Sequence, residues 1–394
     1  LEMSDKEIKK WLKKYKKNKK IKKKQKKADN GNWFSNLFHK DKKDSTNSES
    51  KLLKTLHFHQ ENVHDFAWFA DKNYIVQKGE LELPHGKNKV ILWSMYLPKN
   101  AVLWKNSIEY LHDSGWWYSH FYGDYPYKHI TAVDGDMSAG GGMEYPNITV
   151  ISKMPSKDLL EMVIMHEVGH NWFYGILGSN ERDHAWMDEG LNEYSNIRYW
   201  EKKYGMDSGM QVTDKFAKHL ILRNNTFRWM NSLGCQRRCF AGDAQVIDQH
   251  SDNFKSGNYG SMIYSKTGSL TRYLQEYLGE PQMDKIMQDY FETWKFKHPS
   301  PADFRNIFTE NCDKNLDWYF KDGLNTIKNI DLEIDKKHNK YLLENKSEIQ
   351  IPGYVEFYDK NNIPVDSIWV DGFEKKLELI SPENTSYAIL DPEN

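Results

Sequence analysis

The sequence has 394 residues, which is long enough for two or three domains with a sizeable hydrophobic core. An aromatic content of 14%, with 14 Trp and 23 Tyr, excludes a largely disordered chain. The formal net charge is −1, but residues 1–27 hold fourteen Lys against three acidic residues, so the rest of the chain is acidic. No run of about 18 apolar residues is present, and we therefore expect no transmembrane segment in this chain.

The first 50 residues begin with a lysine run, KKYKKNKKIKKKQKK, and continue into the polar stretch KDKKDSTNSES. Such composition is typical of a flexible, solvated segment. Binding of nucleic acid or anionic lipid is the alternative for a lysine run. The acidic remainder shows no basic patch interleaved with aromatic residues, so we expect no nucleic-acid partner.

The elements that follow alternate between strand and helix patterns. KVILWSMYL at 89–97 predicts a strand, and the stretch from Ser107 predicts a helix that ends at Gly123. Two β-rich stretches, HITAVDG and MEYPNITVIS, bracket a glycine cluster, and residues 156–325 have helical periodicity. From about residue 330, YVEFYD, SIWVDG and KLELIS alternate between turns, which predicts a small β-sandwich. The fold class predicted is therefore α+β with several domains.

The stretch PSKDLLEMVIMHEVGH predicts a helix capped by Ser156. Along it Leu159, Val163, His166 and His170 recur at spacings of four, three and four residues, so they share one face. Both imidazoles can then reach a single ion, and zinc binds such nitrogens in a tetrahedral shell.

A third ligand is expected from WMDEGLNEY, where Glu189 follows the second histidine by nineteen residues. Three protein ligands leave a fourth position for water, which is the pattern of a catalytic zinc site. Glu167 is adjacent to a ligand but lies off its face, so it is the candidate general base for a zinc-bound water. The alternative is a pair of core histidines in a motif that arose by chance.

HEVGH followed at this spacing by the Glu of WMDEG resembles the gluzincin metallopeptidases, and within them the aminopeptidase N family. GGGMEYPN resembles the Gly-x-Met-Glu-Asn segment of that family, with Tyr145 where Asn is usual, a form similar to that of a bacterial branch. IYSKTGSLTRYLQEYLG resembles the Tyr-Glu-Lys-Gly segment and matches it at Tyr264 and Lys266. The resemblance covers about residues 56–390.

The resemblance implies roles for further residues. Met143 to Asn147 would form an edge strand to which a peptide adds, and Gly141 and Gly142 would let its backbone approach. Glu144 would bind the free α-ammonium group of the substrate. Tyr264 would stabilise the oxyanion. Tyr259, which precedes the same helix, is the alternative candidate for this role.

The resemblance also implies a domain organisation. After the flexible segment 1–50, residues 51–98 would be the remnant of an N-terminal β domain that is otherwise missing from this fragment. Residues 99–325 would be a thermolysin-like, mainly helical catalytic domain with a small mixed sheet, and residues 326–394 the β-sandwich.

The function predicted is that of a zinc-dependent aminopeptidase with one Zn²⁺ per chain, acting on peptides with a free N-terminus. A zinc endopeptidase, another zinc hydrolase of the same fold, and an inactive binding scaffold are the alternatives. We expect a soluble fragment of a bacterial protein. The sequence leaves open whether the full-length protein is exported to the periplasm or surface, which N-terminal residue is preferred, and the oligomeric state.

Overall fold

The structure is a computed structural model that describes residues 13, 55–86, 88–135, 137, 140–209 and 226–392. The flexible segment predicted at 1–50 therefore lies outside the described residues, except for Lys13. Within these ranges, no helix is both long enough and apolar enough to cross a bilayer.

A five-stranded mixed sheet supports the centre of the molecule, with the strand order β1-β2-β3-β5-β4. Its strands are β1 (Ile75–Glu82), β2 (Lys89–Tyr96), β3 (His129–Asp134), β4 (Gly142–Met143) and β5 (Ile148–Ile151). β2, β3 and β5 run parallel, whereas β1 and β4 are antiparallel to their neighbours. Side chains along β2 alternate between more and less exposed, as the period of two in KVILWSMY predicts.

Helices cover this sheet and form most of the chain between it and the C-terminal strands. They are α1 (Ala101–Trp104), α2 (Ser107–Tyr122), α3 (Lys157–Gly169), α4 (Glu189–Tyr204), α5 (Phe227–Ala241), α6 (Thr267–Leu278), α7 (Glu280–Trp294) and α8 (Pro301–Asn311). A π-helical segment, Gly260–Lys266, leads directly into α6. α2 ends at Gly123 as predicted, and Ser156 Oγ accepts a hydrogen bond from the backbone N–H of Leu159, so it caps α3 as predicted.

The C-terminal part contains two three-stranded antiparallel sheets, with the orders β10-β7-β6 and β11-β8-β9. Their strands are β6 (Leu332–Lys337), β7 (Lys340–Asn345), β8 (Gly353–Tyr358), β9 (Pro364–Val370), β10 (Lys376–Ile380) and β11 (Tyr387–Leu390). Leu343 and Leu379 of one sheet and Val355 and Phe357 of the other belong to one buried cluster. The strands predicted at YVEFYD, SIWVDG and KLELIS are present.

Two expectations differ from the structure. The first is the boundary after residue 98: β2 pairs with β3 and β3 with β5, so the strands of segment 51–98 continue the same sheet as those of 99–325. The second is the edge strand predicted from Met143 to Asn147. The strand is Gly142–Met143, because the chain turns back after it, with Tyr145 O accepting from Ile148 N–H and Asn147 at a positive φ of 66°.

The cap of α3 gives a stability prediction. Ser156→Ala should lower the free energy of unfolding by about 1 kcal/mol, because the N–H of Leu159 loses its acceptor. Lys157→Ala, at the exposed next position, is the control and should change it by no more than about 0.5 kcal/mol. Chemical denaturation followed by circular dichroism measures both. Equal effects of the two variants would contradict the cap.

Candidate metal centre and substrate edge

Three ligand atoms converge where α3 ends and α4 begins. The Nε2 atoms of His166 and His170 lie 3.1 Å apart, and Glu189 Oε2 lies 3.1 Å from the first and 3.2 Å from the second. His166 is in the last turn of α3, His170 is its C-terminal cap residue, and Glu189 is the first residue of α4. The three predicted ligands thus lie together, two of them from the predicted stripe on α3 and the third from the start of α4.

The chemistry of these atoms fits zinc. Two imidazole nitrogens and one carboxylate oxygen are the ligand set of catalytic zinc sites. Burial alone would lower the pKa of His170, but Asp188 and Glu189 raise it well above its usual value. Burial alone would raise the pKa of Glu189, but His170 and His166 hold it well below its usual range. The cluster therefore favours positive charge at its centre.

Asp188 orients the second histidine. Its Oδ1 lies 2.7 Å from His170 Nδ1, and both side chains are buried. Such a carboxylate fixes the ring so that Nε2 faces the metal position. Although Asp188 directly precedes α4, its side chain makes no capping hydrogen bond on that helix. His184, a nearby histidine, pairs with Asp248 at 2.6 Å and is not part of the cluster.

Glu167 lies beside the cluster without belonging to it. The residue is 5% exposed, and its Oε2 has no hydrogen-bond partner among the described residues. Burial raises the pKa of this carboxyl group to about 7. A Cβ added at Gly142 would overlap the Glu167 carboxyl group. The packing of Glu167 therefore requires a glycine at position 142. The resemblance had implied a different reason for this glycine, namely the close approach of a substrate backbone.

The residues around β4 form the edge of the sheet nearest the cluster. Gly140 and Gly141 have φ values of 76° and 65°, a left-handed conformation that favours glycine. β4 pairs with β5 on one side and has no strand partner on the other among the described residues. Met143 is half-exposed on β4. Glu144 follows it, and a carboxylate oxygen of Glu144 lies within 4.8 Å of ligand atoms of His170 and Asp188.

Both candidate tyrosines lie close to the metal centre. The ring of Tyr264 stacks on that of His166 with the centroids 5.7 Å apart. Burial raises the pKa of Tyr264, and so do the charge of Glu189 and a hydrogen bond to it. The ring of Tyr259 lies 6.0 Å from that of Tyr264 and packs on Phe254. Tyr264 thus contacts two metal-ligand candidates directly, and Tyr259 packs against Tyr264.

Sequence analysis missed the residues that surround His166 on its other side. Asn192 Nδ2 donates to the backbone oxygen of His166 at 2.7 Å, and Asn196 Nδ2 lies 2.8 Å from His166 Nδ1. Glu193 Oε2 lies 3.9 Å from the same nitrogen. A signal was available, because Asn192 and Asn196 follow Glu189 by three and seven residues and so share its face of α4.

Comparison with known proteins identifies a family for this chain. The profile of the peptidase family M1 domain matches residues 115–322. Leukotriene A-4 hydrolase from Xenopus laevis is 25% identical over 194 residues, which cover 48% of this chain and 29% of that protein. Leucine aminopeptidase 2 from Sclerotinia sclerotiorum is 24% identical over 278 residues, covering 64% and 43% respectively.

A solved structure shares the fold. Aminopeptidase A from Legionella pneumophila, crystallised in complex with aspartic acid, superposes with a TM-score of 0.62 at 14% identity and covers 82% of this chain and 37% of that one. The chain thus spans less than half the length of these three proteins. Since the family profile matches more than half of the chain and includes both histidines and Glu189, the chain belongs to peptidase family M1, whose members are zinc-dependent metallopeptidases.

Proposed function

We propose that the protein is a zinc aminopeptidase that hydrolyses the first peptide bond of peptides with a free amino terminus. One observation carries the proposal: Glu144, at the end of an edge strand, brings its carboxylate within 4.8 Å of ligand atoms beside the metal centre. Among the described residues, the Glu144 side chain has no hydrogen-bond or ion-pair partner. A carboxylate in that position is suited to an ammonium group.

His166, His170 and Glu189 would hold one Zn²⁺ ion. When bound, the ion supplies Lewis acidity, which polarises the scissile carbonyl and makes water more acidic. The residues of the chain then need only place the peptide, move one proton and stabilise the developing negative charge.

Glu167 is suited to move that proton. Its Oε2 has no partner, so this oxygen is available to a water molecule. A pKa near 7 matches the requirement of a group that must accept a proton and then release it to the leaving amine. The neighbouring Gly142 keeps the carboxyl group next to the edge strand, where the peptide would lie.

The substrate would add to the outer edge of β4 as an extended strand, with its first residue at Glu144. Gly141, Gly142 and Met143 would contact its backbone. Tyr264, which stacks on His166, would donate its hydroxyl proton in a hydrogen bond to the oxyanion. The names of the leucine aminopeptidase and aminopeptidase A relatives support this assignment.

The finer description of the fold is part of the proposal. The region 99–325, together with β1 and β2, would form a thermolysin-like catalytic domain, and the two C-terminal sheets of 326–394 a β-sandwich. The shared buried cluster of the two sheets supports the second assignment.

The metal ligands give the first functional prediction. Purified protein should contain about one zinc ion per chain. His170→Ala should lose this ion, because only two of the three protein ligands remain. His184→Ala is the matched control: this histidine is paired with Asp248 outside the cluster, so its loss should leave the zinc content unchanged. Metal analysis by mass spectrometry measures both. Full zinc content in His170→Ala would refute the ligand assignment.

Glu167→Gln should retain zinc and lower kcat by a factor on the order of 10² or more, because Gln cannot accept the proton. Stability offers a second readout. In the metal-free protein the pKa of Glu167 is raised from 4.5 to about 7 on folding, so this carboxyl group destabilises the fold increasingly as pH rises from about 4.5 to 7.

The Tm of metal-free Glu167→Gln should therefore rise relative to the parent across that pH range. Unchanged activity with zinc still bound would exclude Glu167 as the base. Loss of the metal in this variant would make Glu167 a ligand instead.

Glu144 separates an aminopeptidase from an endopeptidase. Glu144→Ala should lower kcat/KM for free-amine substrates by about ten- to a hundredfold, because one charge-assisted hydrogen bond contributes about 1.5–3 kcal/mol. N-acetylated peptides are the internal control: they should be poor substrates of the parent and respond little to the substitution. If the parent cleaved acetylated and free peptides equally well, the endopeptidase alternative would stand.

A further inference from the structure

A buried polar network lies between α2 and the metal centre. The hydroxyl oxygen of Tyr118, on α2, lies 2.5 Å from Asn192 Oδ1 and 2.9 Å from Asn196 Oδ1. The two amides belong to α4, and their other ends reach His166. One donates to its backbone oxygen and the other contacts its ring at Nδ1. Tyr118 is thus connected through two separate side chains to one residue of the metal centre.

The network is held in a fixed volume. Tyr118 is fully buried, and Asn192 and Asn196 are at most 1% exposed. A Cβ added at Gly169, the last residue of α3, would overlap both Asn192 Oδ1 and the Tyr118 hydroxyl group. The tyrosine hydroxyl group therefore occupies space that only a glycine at position 169 leaves free. In close-packed interiors such a group has few alternative positions.

The two contacts to His166 fix different parts of it. The bond from Asn192 holds the main chain of the last turn of α3, and the contact of Asn196 sets the rotation of the imidazole. When Nε2 binds a metal, Nδ1 carries the ring proton and needs an acceptor. Two acceptors are within reach: Glu193 Oε2, 3.9 Å from Nδ1, and Asn196 Oδ1 after rotation of its amide.

We propose that Tyr118 is a positioning residue of the metal centre, which fixes His166 through Asn192 and Asn196 and thereby strengthens zinc binding. The proposal rests on the ligand set assigned above. No carboxylate lies as close to His166 Nδ1 as Asp188 lies to His170 Nδ1, and yet the Nε2 atoms of the two histidines lie next to each other. The proposed role of Tyr118 explains how His166 keeps this orientation. Groups that orient a metal ligand typically change metal affinity by about 10- to 100-fold when removed.

The same pair of helices provides a matched control. Tyr122 lies one turn further along α2, is 1% exposed, and its hydroxyl group lies 2.6 Å from Ser195 Oγ on α4. Tyr118→Phe and Tyr122→Phe each remove one buried hydroxyl group between α2 and α4. Only the first removes a hydroxyl group that contacts the two amides that reach His166.

The test measures zinc affinity by chelator competition and the rate of zinc release, together with the Tm of the metal-free proteins. Tyr118→Phe should weaken zinc binding by about 10-fold or more, whereas Tyr122→Phe should bind zinc like the parent, with comparable falls in Tm for both. Equal weakening in the two variants would overturn the proposal, because it would indicate general loosening. Unchanged zinc affinity in Tyr118→Phe would also overturn it.

A second pair of variants keeps the test decisive if Tyr118→Phe does not fold. Asn196→Ala should weaken zinc binding, and Asn196→Asp, which restores an acceptor for Nδ1, should recover at least part of it. Equal affinity of the Ala and Asp variants would overturn the proposal. A parent protein without zinc would refute the ligand set and the proposed function as well, which distinguishes the two failures.

Discussion

The convergence of two imidazole nitrogens and a carboxylate oxygen within about 3.2 Å of one another is the constraint on which the centre of this molecule depends. Such a cluster is stable only with positive charge at its centre, supplied by protons or by a metal ion. The end of α3, the start of α4 and the sheet beneath them all serve to hold these atoms at one point. Asp188 contacts the ring of His170, and Tyr118 contacts Asn192, whose amide reaches His166.

Burial also changes the acidity of groups at the same site. Glu167 is removed from water, has one oxygen without a partner, and has a pKa raised to about 7. Glu144 lies nearby and makes no hydrogen bond or ion pair among the described residues. These two carboxylates would be unfavourable in an ordinary protein interior. In the proposed mechanism, Glu167 would accept a proton and Glu144 would bind the ammonium group of the substrate.

The sequence predicted the parts of this arrangement that follow from periodicity. The stripe on α3, the cap at Ser156, the helix that ends at Gly123 and the C-terminal strands all depend on local spacing and were found. The position of Tyr264 beside His166 followed only from a family resemblance. The role of Asp188 could not be predicted from local spacing, because whether an acidic residue before a helix caps it or turns inward depends here on a histidine eighteen residues earlier. Tyr118 carries no local signal at all, since its partners lie more than seventy residues away.

The contact between Glu167 and Gly142 has a mechanical consequence. The carboxyl group touches the strand edge through van der Waals contact, with no intervening hydrogen bond or ion pair between the two residues. Contact of this kind is set by atomic radii, so it is insensitive to ionic strength and to the protonation of neighbouring groups. If a peptide adds to β4 as proposed, its distance from Glu167 would therefore be set by the single glycine residue between them.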